Sequence, residues 1–157
     1  MAAYGLLTMY NLTASIGTEK RGEAPSETWT YAELADGFDN IAEALNETVQ
    51  QYFFLSDGGF AKNHVTGMAP AFTLTGRRVV GDQAQDYIFS KKYGLDTDRQ
   101  SSFKLEYTDA EGATQTITCD CTLCNIQEWS GATTDDSAVS VEIRFDGKPQ
   151  KSSTPAG

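Results

Sequence analysis

Three stretches between residues 101 and 145 alternate apolar and polar side chains, and this pattern most constrains the fold. They read SSFKLEYTD (101–109), TQTITCDCTLCNIQEW (114–129) and SAVSVEIRF (137–145). Successive side chains of a strand point to opposite faces, so a period of two predicts strands with one buried face. The polar turns DAEGAT and SGATTDD separate the stretches and favour antiparallel neighbours. We therefore expect a mostly antiparallel β domain.

The first half of the chain carries weaker signals of the same kind. TWTYAEL (28–34) and MAPAFTLTG (68–76) alternate and predict strands, and a further strand is expected near residues 48–55. Between them, Phe38 and Ile41 begin an apolar series at helical spacing. This spacing predicts a short helical or irregular piece around residues 38–45.

One segment has the start and stop signals of an α-helix, which we expect over about residues 82–93. Asp82 suits the N-cap, Gln85 occupies the capping-box position, and two lysines near the end complement the helix dipole. Gly94 suits the left-handed position that ends a helix. The expected packing face consists of Ala84, Tyr87, Ile88 and the aliphatic part of Lys91.

The length of 157 residues and an apolar fraction of 39% indicate one folded unit. We assign residues 1–149 to a single domain and expect residues 150–157 (QKSSTPAG) to form a flexible C-terminal tail. No apolar run approaches the roughly 20 residues of a membrane span, so no membrane partner is expected.

The charge balance is acidic, with a formal net charge of −10. A protein that binds nucleic acid needs cations to neutralise the phosphates, so a nucleic-acid-binding groove is not expected. Residues 27–47 contain acidic but no basic side chains, whereas most basic residues lie between 62 and 104. This segregation fits either an ordinary solvated surface or oppositely charged faces suited to head-to-tail self-association.

The three cysteines of the chain lie in one predicted strand. Cys119 and Cys121 share a face with Ile117 and Leu123, whereas Cys124 points to the opposite face. A structural zinc site needs about four convergent ligands, which this arrangement does not supply. We interpret the cysteines as packing residues of a strand in a reducing compartment.

The sequence contains no recognisable catalytic constellation. The single histidine, His64, lies in a turn-rich stretch without an accompanying nucleophile motif. The acidic clusters at 96–98 and 133–136 lack the ligand alternation of an EF-hand. No catalytic, cofactor-binding or metal-binding residue is predicted, and the chain is not expected to be an enzyme.

Three sequence segments resemble those of a known family. They are FFLSDGGFAKNHVTGMAPAFTLTG (53–76), TGRRVVGDQAQDYIFSKKYGL (75–95) and SVEIRFDGKPQ (140–150). In this order they resemble the major tail tube proteins of long non-contractile-tailed bacteriophages, particularly those of Gram-positive hosts. The resemblance covers about residues 50–149, and the cysteines are not part of it.

The resemblance implies a β-sandwich or half-barrel flanked by one helix, assembled into stacked hexameric rings. The resulting tube would enclose a tape measure protein during assembly, contact tail terminator and distal tail proteins, and later conduct DNA without binding it specifically. Such a subunit would be assembled in the host cytoplasm and reside in the virion tail.

The resemblance also suggests where copies touch. Residues 36–68 are expected to supply much of the inter-subunit contact, and the loop near 17–27 and the tail after Pro149 are expected to act as stacking arms. The individual residues expected at the subunit interface are Phe38, Asp57, Phe60, Arg77, Arg78, Lys91 and Lys92.

Other functions remain open at this point. A β-sandwich that binds carbohydrate could present Trp29 and Trp129 as a stacking platform. A small metalloprotein could be organised on the cysteines, and a sheathed tail or phage-like bacteriocin would use a similar tube subunit.

Overall fold

The structure is a computed structural model that describes residues 5–21 and 29–155. Within these ranges there are ten strands, one α-helix and three short 3₁₀ helices (Met9–Asn11, Leu55–Asp57 and Asp96–Arg99). We number the strands and the α-helix. Their bounds are β1 Thr13–Gly17, β2 Tyr31–Glu33, β3 Phe38–Ala44, β4 Thr48–Tyr52, β5 Lys62–Gly67, β6 Ala71–Arg77, α1 Gln83–Ser90, β7 Gln100–Thr108, β8 Thr114–Gln127, β9 Ala138–Phe145 and β10 Gln150–Thr154.

Eight of the strands form one antiparallel sheet in the order β2-β1-β7-β8-β9-β6-β3, with β10 also paired to β8. The 14-residue strand β8 lies at the centre. Along one edge it pairs with β7, and along the other it pairs first with β10 and then with β9. The long returning strand expected from the alternation is confirmed.

The sheet curls strongly upon itself. The rings of Phe72 on β6 and Phe103 on β7 have centroids 5.2 Å apart, although β8 and β9 lie between these two strands. In a flat sheet three strand spacings would separate such residues by about 14 Å. Phe145 contacts both rings and closes the cluster. The expected fold class, a mostly β antiparallel half-barrel with one helix, is confirmed.

The alternating stretches supply the core as expected. On β9 the buried side chains are Val139, Val141 and Ile143, each two residues from the next. On β8, Cys119, Cys121 and Leu123 are buried, whereas Asp120 is exposed and Cys124 is half-buried.

The three thiols are free. Burial is the main reason that the pKa of the Cys121 thiol is raised well above its ordinary value. Cys119 and Cys121 therefore act as small apolar residues of the core, whereas Cys124 is half-buried.

Helix α1 begins as the sequence predicts, since the Asp82 carboxylate accepts a hydrogen bond from the backbone N–H of Gln85 at 3.0 Å. The side chain of Gln85 does not complete a capping box. It is fully buried and its amide donates to the carbonyls of Asp36 and Arg77, at 3.0 and 2.9 Å. Its amide oxygen accepts from the N–H of Val79 at 2.8 Å. Gln85 thereby ties the helix to two neighbouring connections.

The end of the helix differs from the expectation. The helix ends at Ser90 instead of residue 93, and Gly94 is not in the left-handed region. A Cβ at Gly94 would lie 2.7 Å from Cβ of Asp98, so close approach explains this glycine. The residues buried along the helix are Ala84, Gln85, Ile88 and Phe89, whereas Tyr87 is only partly buried.

The prediction of a helical or irregular piece around residues 38–45 was wrong, because Phe38–Ala44 form strand β3. The register against β6 shifts between Phe38 and Asn40, so one residue bulges out. A bulge adds a residue to one strand, and side chains three positions apart can then share a face. Phe38 and Ile41 both pack against the core in this way, which imitates helical spacing.

Three further strands were not predicted. β1 is buried at successive positions, and β5 is exposed at all but its last residue, so neither shows alternation. β10 is exposed throughout. The expectation of a flexible tail over 150–157 is corrected, since Gln150–Thr154 pair with Thr114–Thr118 of β8 through the main chain.

Candidate assembly surface

A β-hairpin stands apart from the main sheet. β4 and β5 pair only with each other, and all their residues except Gly67 are exposed. We call residues 45–69 the arm. At its base, the backbone N–H of Ala69 donates to the carbonyl of Leu45 at 2.9 Å, and the Asn46 amide donates to the carbonyl of Ala69 at 2.9 Å. The arm is therefore clamped where it leaves the domain.

The end of the arm is apolar and open to solvent. We call Phe53, Phe54, Leu55 and Phe60 the arm tip. Phe53 is 67% exposed, Phe60 is 79% exposed, and Leu55 is fully exposed. The three phenylalanines alone present about 400 Å² of side-chain surface, since an aromatic side chain can bury 150–250 Å². The largest apolar patch on a protein surface is commonly of this size and is often functional.

The arm is ordered by its own contacts. The rings of Tyr52 and Phe54 stack with centroids 5.8 Å apart, and His64 meets Tyr52 edge-on at the same separation. Asp57 forms an ion pair with Lys62 at 3.4 Å. Such contacts pre-organise the tip and lower the entropy that would be lost on binding.

A second exposed apolar surface lies beyond the end of α1. We call Tyr93, Leu95 and Trp129 the helix-end patch, and these side chains are 84%, 81% and 67% exposed. The Lys92 ammonium lies between two of them, 3.0 Å from the centroid of the Trp129 ring and 5.1 Å from that of Tyr93. A lysine in cation–π contact therefore sits at the centre of this patch.

A buried carboxylate holds the same region together. Glu128 accepts from Nε of Arg78 at 2.9 Å and from Nζ of Lys92 at 2.5 Å. Burial opposes the charged form of Glu128, but the two cations outweigh it and lower the pKa of the carboxyl. Arg78 also bonds Asp86 at 2.9 Å, so its guanidinium joins the helix to the end of β8.

The expected interface residues fall into three environments. Asp57 and Phe60 lie in the arm, within the range 36–68 for which contact with other copies is predicted. Arg78 and Lys92 are drawn together around Glu128 and are only 12% and 13% exposed, so they do not form a free charged surface.

The other three expected interface residues lie elsewhere. Phe38 packs against the core. Arg77 is exposed and donates to the carbonyl of Asp136 at 3.2 Å. Lys91 caps the helix and lies over the Tyr87 ring. Of the loop expected over 17–27, residues 22–27 lie outside the described residues.

The sequence did not point to Glu128. It named Trp129 only as part of a possible carbohydrate platform, and Leu55 only as one residue of the range 36–68. Glu128 meets Arg78 and Lys92 across 50 and 36 residues of chain, so no local spacing reveals it. Leu55 belongs to the run YFFL, which the sequence predicts to lie in a strand. The run shows no alternation of apolar and polar residues, and this is the signal that could have distinguished it from a strand with one buried face.

Two absences apply to residues 5–21 and 29–155. These residues hold no group of three or more His, Cys, Asp or Glu side chains that could bind a metal ion. No helix among them is long and apolar enough to cross a membrane.

No protein-family model and no curated protein sequence matches the chain. Solved structures do match it. A chain in the C6-symmetric tail of an empty gene transfer agent particle superposes with a TM-score of 0.69 at 11% identity, covering 94% of this chain and 99% of that one. A chain in the native gene transfer agent virion gives 0.67 at 11% identity, with the same coverage.

The cap of a prophage tube supplies a further match. A chain in the tube-terminating cap of the anti-feeding prophage gives a TM-score of 0.58 at 11% identity, covering 99% of this chain and 95% of that one. The chain therefore has the fold found in the tails and tubes of phage-like particles.

Proposed function

We propose that this protein is a tail tube subunit whose copies associate into hexameric rings that stack into a tube. The observation that carries the proposal is the arm, a pre-organised hairpin with an apolar tip that the described residues of its own domain leave exposed. The tail-tube-like fold supports it, and one similar structure belongs to a C6-symmetric tail.

The proposed setting is the virion tail, after assembly in the host cytoplasm. There the tube encloses a tape measure protein, ends at tail terminator and distal tail proteins, and conducts the genome during ejection. A net charge of −10 supports free passage of DNA, because an acidic wall gains no counterion-release free energy from phosphates. The resemblance of residues 50–149 favours a long non-contractile tail of a phage with a Gram-positive host.

A carbohydrate-binding module is less well supported. One face of the Trp129 ring is already covered by the Lys92 ammonium, and Trp29 is partly buried. These two rings therefore do not form the flat stacking platform that such a module uses.

The test is electron microscopy of the purified chain at increasing concentration. Hollow rings or tubes with sixfold symmetry are the expected result. A chain that stays monomeric at every concentration, or that binds a glycan as a monomer, would overturn the proposal. Coexpression with a candidate sheath protein separates the sheathed from the non-contractile setting.

A further inference from the structure

The arm leaves the sheet at one end of β6, and the segments that carry the helix-end patch leave it near the other end. The arm follows Ala44, which faces Ala71 at the start of β6. Helix α1 follows Arg77 at the other end of β6, and Trp129 follows Gln127, which is paired with Ser140 near that end. Six residue steps along β6 separate the two ends by about 20 Å.

We propose that the arm tip of one copy docks on the helix-end patch of a second copy. This inference rests on the proposed self-assembly and names the surface that receives the arm. Two different surfaces of one molecule form a heterologous contact, which repeats from copy to copy and builds rings or open stacks. An arm-to-arm contact would instead be isologous and would stop at a dimer.

The chemistry of the two surfaces matches. The arm tip supplies three exposed phenylalanine rings, and the helix-end patch supplies two aromatic rings around an ammonium group. Aromatic pairs stabilise an interface beyond the effect of their buried area alone. The patch is thus an aromatic surface suited to an aromatic partner.

Charge around the two surfaces is complementary as well. Residues 43–69 carry three carboxylates and one lysine. In residues 77–95, Arg78 and Lys92 are paired with Glu128, which leaves Arg77 and Lys91 as the cations that can meet these carboxylates. Glu43 and Glu47 near the base of the arm are exposed. Opposite charges around an apolar contact orient the partners and disfavour other pairings.

The surface area of the arm tip is that of one part of a larger interface. The phenylalanines of the arm tip offer about 400 Å², half of the roughly 800 Å² that each partner buries in a stable interface. One docked arm would therefore hold two copies weakly, and stability would come from repetition of the contact in an assembly.

The first experiment locates the contact in assembled protein. Phe60→p-benzoylphenylalanine, a photoreactive side chain, is introduced into the full chain, which is assembled with isotope-labelled wild-type copies and irradiated. Mass spectrometry is expected to find inter-chain cross-links from position 60 to peptides containing residues 91–95 or 129. Cross-links confined to other segments, including the arm of the second copy, would overturn the docking while leaving the proposed function intact.

The second experiment mixes two variants that are each damaged at one of the two surfaces. Phe60→Glu damages the arm tip and Leu95→Glu damages the patch, and both positions are exposed, so each variant should melt like wild type. Each alone should form roughly tenfold less tube or more, since loss of a hot-spot contact costs 2 kcal/mol or more. Mixed together they keep one intact arm and one intact patch, and a heterodimer is expected.

Leu6→Glu is the control, because this exposed leucine lies outside both surfaces and its tube yield should match wild type. Self-dimers of Leu95→Glu without mixing would indicate an arm-to-arm contact and overturn the inference. Wild-type protein that forms no assembly would overturn both the inference and the proposed function.

Discussion

At the residue scale, charged side chains that the sequence suggests are on the surface can instead form ion pairs that hold the fold together. Arg78 stands in a basic pair and looks like a free cation, yet its guanidinium is bonded to Glu128 and Asp86. Burial of Arg78 disfavours its charge, but the bonds to the two carboxylates prevail and raise its pKa. A charge pattern in the sequence therefore does not distinguish a docking cation from a cation that holds the fold.

We predict that Arg78→Ala lowers the free energy of unfolding by about 2 kcal/mol, because hydrogen bonds between charged groups contribute 1.5–3 kcal/mol. Urea denaturation measures the change. The adjacent Arg77→Ala is the matched control and should change stability by less than about 0.5 kcal/mol, as exposed substitutions usually do. Equal effects at the two positions would contradict the assignment.

Glycine placement gives a second test at this scale. A Cβ at Gly76 would lie 1.9 Å from the carbonyl oxygen of Gly37 and 2.7 Å from Cα of Phe38, both backbone atoms. We expect Gly76→Ala to cost about 3 kcal/mol of stability, since the bulge in β3 must move.

Gly67→Ala is the control for this prediction, because its nearest neighbour would be 3.9 Å away. Thermal or urea unfolding should place the control within about 0.5 kcal/mol of wild type. A Gly76→Ala protein as stable as the control would show that the β3 to β6 contact is looser than described.

At the scale of the elements, β8 shows how one strand serves two partners along a single edge. Its first half pairs with β10 and its second half with β9. The register against β9 shifts between Cys124 and Gln127, and Asn125 has a φ of 51°. A bulge of this kind twists the strand, so β8 can contribute to the curl of the sheet.

We predict that deletion of residues 150–157 exposes the first half of β8 and has little effect on the core. Amides of Thr114–Thr118 that bond β10 should exchange roughly fivefold faster or more, because one hydrogen bond contributes about 1 kcal/mol and that free energy corresponds to such a factor. Hydrogen exchange with mass spectrometry measures this.

Amides of β9 that face β8 serve as the internal reference for the truncated protein and should be unchanged. Unaltered exchange in Thr114–Thr118 would mean that β10 does not protect this edge in solution.

At the scale of the whole molecule, the charge-pairing hypothesis needs variants that do not disturb the fold. Reversing Arg77 and Arg78 together, or Lys91 and Lys92 together, would also break the bonds to Glu128. Arg77 is exposed and Lys91 is the C-cap of α1, and the bonds to Glu128 are made by the other member of each pair. Reversal of Arg77 and Lys91 tests assembly separately from stability.

We expect Arg77→Glu combined with Lys91→Glu to reduce tube yield in negative-stain microscopy while the monomer stays folded. The loss of Lys91 at the end of α1 should cost no more than about 1 kcal/mol through the helix dipole. High salt should narrow the difference in yield from wild type, because it screens exposed charges. Wild-type yield at low salt would contradict charge pairing between copies.

The sequence by itself determined the mostly β class and the start of the helix at Asp82. It also determined which face of β8 each of the three cysteines lies on. These features follow from period-two alternation and from a cap that acts within three residues, both of which are local. The resemblance of residues 50–149 also led to a fold that the structure bears out.

Only the tertiary structure decided which polar and apolar residues are available to a partner. The bulge that makes β3 a strand, the burial of Arg78 around Glu128, and the exposure of the arm tip all depend on contacts between residues far apart in the chain. A run such as YFFL is compatible with a core or with a docking surface. The choice between them is made by whether the rest of the fold covers it, and here the described residues leave it open.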